Sequence, residues 1–289
     1  RAGAAGVSRV VLTGCDLAGS RKGHDVAEWW SEHAKGLKQS DIPRVYYTAG
    51  VHPHDASKVV LEDGSMDPSA LKELTELASN PLCVSLGEAG LDYDRMFSPR
   101  DVQLTVFEAQ VALCESLGRP LFAHVREQGP DKGEALGVYK DVIEILDRHK
   151  GITPEQVCVH CFTGDGADLE EVTSRGLCVG FTGYLGMAKR ATSTGTLAAL
   201  ARPNAIDLSR VMIETDSPFM MPDKSWLPAD ISVSKGKSEP AIMPAVCRAL
   251  AEAIGCKADE VAAETTRTAE RFFQFDAADS AVEAASSAS

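Results

Sequence analysis

Short apolar, β-branched runs alternate with longer amphipathic ones from Val7 to Pro218. Seven of the short runs read as strands: "VSRVVLTG", "VYYTAGVH", "CVSLGEAG", "PLFAHVRE", "QVCVHCFTG", "LCVGFTG" and "VMIETDSP". Their apolar character is nearly continuous rather than alternating, which marks strands buried on both faces, as in a parallel sheet. Helical signals fill the gaps. "MDPSALKELTELAS" offers Asp67 as an N-cap, Pro68 at the first helical position, and Leu71, Leu74 and Leu77 on one face. "SPRDVQLTVFEAQVALCESLG" repeats the device with Ser98 and Pro99, carries Val106, Phe107, Val111 and Leu117, and stops at Gly118. "TPEQVCVHC" has the same Thr-Pro start on a shorter scale. A last helical region runs from about Pro244 to Phe273, and Met220 to Pro240 reads as one long loop.

Strict β-then-α order folds either as an open doubly wound sheet or as a closed barrel. No G-x-G-x-x-G or G-x-x-x-x-G-K-[ST] loop follows any strand, so the pattern favours an α/β fold of the TIM (β/α)8 barrel type. The barrel is expected to lack its first strand in this chain. "RAGAAGVSRV" reads as the last turn of a helix passing through a glycine into a strand, which places the expected first strand upstream of Arg1. No linker interrupts the pattern, so residues 1–275 are expected to form one barrel domain. "DAADSAVEAASSAS", residues 276–289, has too little bulk to bury and is expected to be a disordered tail.

The 289 residues are 44% hydrophobic and 25% charged, a globular composition. No apolar run approaches the ~20 residues that span a bilayer, and no secretory signal opens the chain. Eight cysteines lack paired spacing, and Cys83, Cys158 and Cys178 lie inside apolar runs. That suits reduced thiols and a cytoplasmic location better than a disulfide framework. Lys and Arg number 29 against 42 Asp and Glu, a net charge of −13 that repels polyanions and argues against gripping long duplexes. A phosphate-bearing substrate is compatible with this charge where metal ions supply the positive charge locally.

In a barrel the C-terminal ends of the strands converge on the active face. Those ends carry Glu88 on the third strand, His124 on the fourth, His160 on the fifth and Asp216 on the seventh. "GVHPHD" after the second strand adds His52, His54 and Asp55. Two imidazoles and two carboxylates form a mixed nitrogen and oxygen set that suits Zn2+, Mn2+ or Mg2+. Each residue taken alone has a structural explanation: a strand-end His is commonly a hydrogen-bonded core group, Glu88 could cap a turn, and Asp216 before Ser217-Pro218 could be an Asx-turn residue. Ligand types at the same position of four strands carry more weight together. His52 and His54 are candidate substrate contacts against a purely structural "HPH" turn. Cys161 has no His-Asp partner pattern and reads as a structural thiol. Lys189, Arg190, Lys235 and Lys237 read as solvent-facing rather than as a phosphate rim.

The strings "AGVHPHD", "SLGEAGLD", "PLFAHVRE", "VCVHCFTG", "GFTGYLG" and "MIETDSPFMMP", followed by "KSEPA", resemble the TatD family of metal-dependent deoxyribonucleases in wording and order, from Arg1 to about Phe275. The resemblance implies a TIM barrel of the metallo-dependent hydrolase superfamily. It implies that Glu88, His124, His160 and Asp216 are metal ligands. The front departs from the pattern: neither D-x-H-x-H nor D-x-G-x-N is present, and the "HPHD" and "EPA" wordings are closer to the branch lacking those two histidines. The expected activity is metal-assisted hydrolysis of phosphodiesters in single-stranded DNA, by exonuclease action, with RNA as an alternative substrate. One or two divalent ions are implied, Mg2+ first, with Zn2+ and Mn2+ as alternatives. Asp216 would orient and deprotonate water, Glu88 would anchor metal, and His52, His54 and Arg126 would contact phosphate. The protein is expected to act as a monomer with no membrane partner. Two rival expectations keep the same residues. One is a metal-dependent hydrolase of a small ester or amide. The other is a catalytically inactive barrel serving as an interaction partner, which would bind no metal.

Overall fold

The computed structural model describes every residue except 35–41, 228, 230, 232, 234, 235 and 289, so Lys235 lies outside the described residues. The seven apolar runs form strands β1 (Arg9–Leu12), β2 (Arg44–Ala49), β3 (Cys83–Asp92), β4 (Leu121–Arg126), β5 (Val157–Val159), β6 (Cys178–Phe181) and β7 (Val211–Ile213). Their order in the sheet repeats their order in the chain. The pairs β2 with β3, β3 with β4, and β6 with β7 are parallel. A doubly wound sheet reverses its order at a switch point. Uninterrupted order is the connectivity of the β/α barrel, as the sequence predicts.

The chain separates into two compact units, each assembled from several stretches. One contains Arg1–Val10, Gly36–Arg44 and Val159–Arg271; the other contains Val11–Lys35, Val45–Cys158 and Phe272–Ser289.

In the second unit the helices are α1 (Leu17–His33), α2 (Pro68–Ala78), α3 (Arg100–Leu117) and α4 (Val138–Arg148). Asp67 caps α2 as expected, accepting a 2.8 Å hydrogen bond from the Ser69 amide. Helix α3 ends at Gly118, whose φ of +63° is the left-handed conformation glycine adopts without strain. Its start differs from the sequence reading. Pro99 holds the cap position without a side-chain bond, while the Ser98 hydroxyl donates to His54 O (3.2 Å) and accepts from Ser57 N (3.1 Å). Ser98 thus ties a turn to the site instead of capping a helix. Tyr46, Tyr47, Leu74, Leu86, Leu91, Phe107, Leu121 and Ile145 are fully buried in this unit.

The expected tail is not disordered at its start. Residues Phe275–Ala288 form a helix, designated αC until its predecessors are placed. Phe275 and Ala278 are buried, the Phe275 ring packs against Tyr46 at 4.7 Å, and the Tyr46 hydroxyl donates to Asp279. Two buried side chains and one hydrogen bond anchor a segment whose composition alone is too light to hold it.

In the first unit, β6 and β7 are followed or flanked by α5 (Gly166–Ser174), α6 (Ala188–Ser193), α7 (Thr196–Leu200), α8 (Met243–Ile254) and α9 (Ala258–Phe273), the last two residues of α9 belonging to the second unit. In chain order αC is therefore α10. The single helical region expected after Pro244 is two helices, because the chain turns at Gly255. Among the described residues, no helix is long and apolar enough to cross a membrane.

Candidate functional site

Register on β3 and β4 builds the site. Leu86 pairs with Leu121, but the next pair is Ala89 with Ala123, so β3 spends one residue more than β4 across this interval. Side chains alternate between faces along a strand. Without the extra residue Glu88 would share the face of Leu86 and Leu121. The bulge moves it to the face of His124, a one-residue change that redirects every following side chain. Gly90 then pairs with His124 and Asp92 with Arg126, so Glu88 and Asp92 flank the imidazole. Only glycine fits at position 90. Its φ is +153°, and a Cβ there would lie 1.9 Å from the His124 carbonyl oxygen.

His124 is held from both sides, Nδ1 at 2.8 Å from Glu88 Oε1 and Nε2 at 3.2 Å from Asp92 Oδ2. Asp92 is fully buried. It also meets His54 Nε2 at 2.9 Å, and its other oxygen accepts from the Asp94 and Arg95 amides. Burial opposes its charge, but hydrogen bonds from His124, Arg95 and His54 outweigh burial and hold the carboxyl well below the usual carboxylate range. Arg126 Nη1 lies 3.9 Å from Asp92 Oδ2, so its side chain reaches toward the site and not behind its strand.

The "HPH" turn follows β2. His52 donates its amide to Cys15 O at 2.8 Å, and its Nδ1 accepts from His54 N at 3.1 Å. That leaves Nε2 as the protonated nitrogen, 3.4 Å from Glu88 Oε1. Burial lowers the His52 pKa, and the neighbouring Glu88 offsets this only in part. The Cys15 thiol, on an exposed residue, lies 3.5 Å from the other Glu88 oxygen.

Helix α3 fixes two of these segments with the same device. The Gln110 carboxamide accepts from Val51 N (2.8 Å) and donates to Val51 O (3.0 Å), just before His52. One heptad earlier, Gln103 accepts from Asp92 N (2.8 Å) and donates to Asp92 O (3.1 Å). Both glutamines are buried.

His52, Glu88 and His124 offer ligand atoms that all lie within 4.8 Å of one another. A carboxylate and imidazoles are a donor set that divalent ions take. His124 suits the role best, because Asp92 binds its second nitrogen in the way that outer carboxylates orient metal-ligating histidines. His52 is the weaker donor: ligation through Nε2 would require its proton to move. The residues present therefore fit a divalent metal.

Of the residues singled out in the sequence, Glu88, His124, His52, His54 and Arg126 gather in the second unit. His160 and Asp216 belong to the first, immediately after β5 and just beyond β7. There Glu214 accepts from Cys161 N at 2.7 Å and faces His160 Nδ1 at 3.4 Å, while the Cys161 thiol lies 3.7 Å from Asp216 Oδ2. Sequence reasoning passed over Asp92, Glu214 and the two glutamines. Asp92 had a signal in the Glu88-x-Gly90-x-Asp92 alternation. The glutamines had one in two amides seven residues apart on the apolar face of a helix.

Residues 1–274 match the family described as "TatD related DNase". A protein of Citrobacter rodentium named "3'-5' ssDNA/RNA exonuclease TatD" is 32% identical over 274 residues, covering 94% of this chain and 89% of that protein. One of the same name from Erwinia amylovora is 32% identical over 275 residues, covering 94% and 91%. Among solved structures, a hydrolase TatD family protein from Entamoeba histolytica has a TM-score of 0.72 at 20% identity, covering 94% of this chain and 86% of that one. The Escherichia coli TatD homolog YJJV has a TM-score of 0.68 at 20% identity, covering 93% and 88%. The two structures share the fold described above.

Proposed function

The chain belongs to the TatD family of DNases, and on that premise we propose that it is a divalent-metal-dependent hydrolase of phosphodiester bonds in nucleic acid. Its proposed action is exonucleolytic, on single-stranded DNA or RNA, as the names of its relatives say of those proteins. The observation that carries this reading is Glu88 set 2.8 Å from His124 Nδ1, with Asp92 fixing the other nitrogen.

Glu88 and His124 are the groups that would hold the metal in the second unit. When bound, a divalent ion supplies Lewis acidity, stabilising charge on phosphoryl oxygens and making water easier to deprotonate. Both nitrogens of His124 face carboxylates, and Asp92, as an acceptor, keeps a proton on Nε2. Nδ1 is the nitrogen that would face a cation held with Glu88. His52 orients Glu88 through Nε2–H. His160 and Asp216 are further ligands in this proposal, on the strength of the family resemblance. Asp216 is the proposed group that orients the attacking water. It takes a proton as the water oxygen bonds to phosphorus and the bond to the departing sugar oxygen breaks. Arg126 offers a guanidinium for a phosphate oxygen, and His54 is the second proposed contact.

Mg2+ is the first expectation, but the imidazole of His124 also suits Mn2+ and Zn2+. Cys83, Cys114, Cys247 and Cys256 carry free thiols, which suits a reducing compartment, and the proposed location is the cytoplasm. The test is cleavage of an end-labelled single-stranded oligonucleotide after EDTA treatment and readdition of Mg2+, Mn2+ or Zn2+. Activity should vanish with EDTA and return with one of the ions. Glu88→Gln and Asp216→Asn should be inactive while keeping the wild-type circular dichroism. Activity that survives both EDTA and Glu88→Gln overturns the reading.

A further inference from the structure

We infer that Phe97 is a stacking platform for a nucleobase of the bound strand, an assignment that rests on the nuclease reading of the same site. Phe97 is 67% exposed. Single exposed apolar side chains are common on protein surfaces, so exposure alone decides nothing. Position does. The ring lies edge-to-face with His54, centroids 4.7 Å apart and planes at 85°. His54 in turn meets Asp92 at 2.9 Å, and Asp92 meets His124 at 3.2 Å. A single chain of contacts thus runs from the proposed metal-holding imidazole to an open aromatic ring. Trp29, also exposed in this unit, already has His33 stacked on it at 4.4 Å.

The ring is presented by a fixed segment. Before it, the Asp92 carboxylate binds the Asp94 and Arg95 amides at 3.0 and 2.8 Å. Directly after it, the fully buried Ser98 bonds His54 O and Ser57 N, and its carbonyl accepts from Gln103 Nε2 at 2.8 Å. Both ends of the turn are therefore tied to groups that build the site, so the exposure of Phe97 is held in place.

The charge of the chain says what such a ring is for. Proteins that hold single strands combine a basic groove with aromatic rings on which bases stack. At −13 this chain is poor in the first element, so ring stacking carries a larger share of the grip. Stacking tolerates every base, since each has a π-face. That tolerance is what an enzyme removing successive nucleotides requires.

The full-length, metal-loaded protein is assayed on a short oligothymidylate and on an abasic oligonucleotide of equal length and charge. Wild type should show a lower KM for the base-bearing strand. In Phe97→Ala that KM advantage should shrink by about 5- to 150-fold, the factor equivalent to ~1–3 kcal/mol for one base–aromatic stack, whereas Phe97→Trp should keep it. Phe97→Trp should also show fluorescence quenching by the thymidylate strand and not by the abasic one. An unchanged KM ratio in Phe97→Ala, or quenching in Phe97→Trp that ignores the bases, overturns the assignment. Wild type that cleaves neither strand overturns the nuclease reading, and the quenching comparison still decides whether the ring stacks on bases.

Discussion

The imidazole of His124 lies between two carboxylates of one neighbouring strand, 2.8 Å from Glu88 and 3.2 Å from Asp92. The two acids have different surroundings. Glu88 sits at a site with His52 and the Cys15 thiol beside it, whereas Asp92 is fully buried and saturated with donors. In the proposed reading Glu88 takes the cation and Asp92 orients the imidazole, a division that this asymmetry supports. Asp92→Asn should therefore weaken Mn2+ affinity by about 10- to 100-fold, as loss of an outer carboxylate does elsewhere, and excess metal should recover activity. Glu88→Gln should not be rescued. Isothermal titration with Mn2+ alongside a metal-activation curve separates the two.

Asp92 also links stability to pH in the metal-free protein. Its folded-state pKa is depressed below the ordinary 3.8, burial being outweighed by the hydrogen bonds from His124, Arg95 and His54. A depressed carboxyl contributes stability that is fully present above the unfolded value of about 3.9 and is lost as pH falls through the folded value. Urea unfolding of the metal-free protein should show stability declining below about pH 4. In Asp92→Asn that acid limb should be flatter, from a lower plateau at neutral pH.

Gln110 and Gln103 each close two hydrogen bonds on a strand-end backbone. Gln110→Leu keeps volume but strands the buried Val51 amide and carbonyl, each worth ~1–3 kcal/mol when left unpaired. The variant should lose ~2 kcal/mol or more by chemical denaturation. Its metal affinity should fall as well, because Val51 directly precedes His52. A stability loss with unaltered metal binding would limit Gln110 to the core.

The last helix contributes to the fold through Phe275. Phe275→Ala removes a ring buried against Tyr46 and should cost ~3 kcal/mol, in the range for buried Phe truncations. Truncation after Gln274 should lower the thermal midpoint further, since it also removes Ala278 and the Tyr46–Asp279 hydrogen bond. A truncated chain with an unchanged midpoint would return the segment to the status of a tail.

Near-continuous apolar runs separated by capped amphipathic segments were enough to determine seven parallel strands, their order and the barrel class, because burial on both faces leaves a pattern that composition alone preserves. Glu88 and His124 were legible for a related reason: a charged or imidazole side chain at the end of a buried strand stands out against its neighbours. What only the tertiary structure decided is which groups meet. A bulge between Leu86 and Ala89 turns Glu88 onto the His124 face, and no local propensity announces it. Asp92 and the two glutamines act on partners that lie 11 to 59 residues away along the chain. The helix from Phe275 is decided by Tyr46, which lies in β2 at the far end of the sequence. Hydrophobic periodicity records which side a residue faces, while the partner it finds there depends on register and on packing between distant segments.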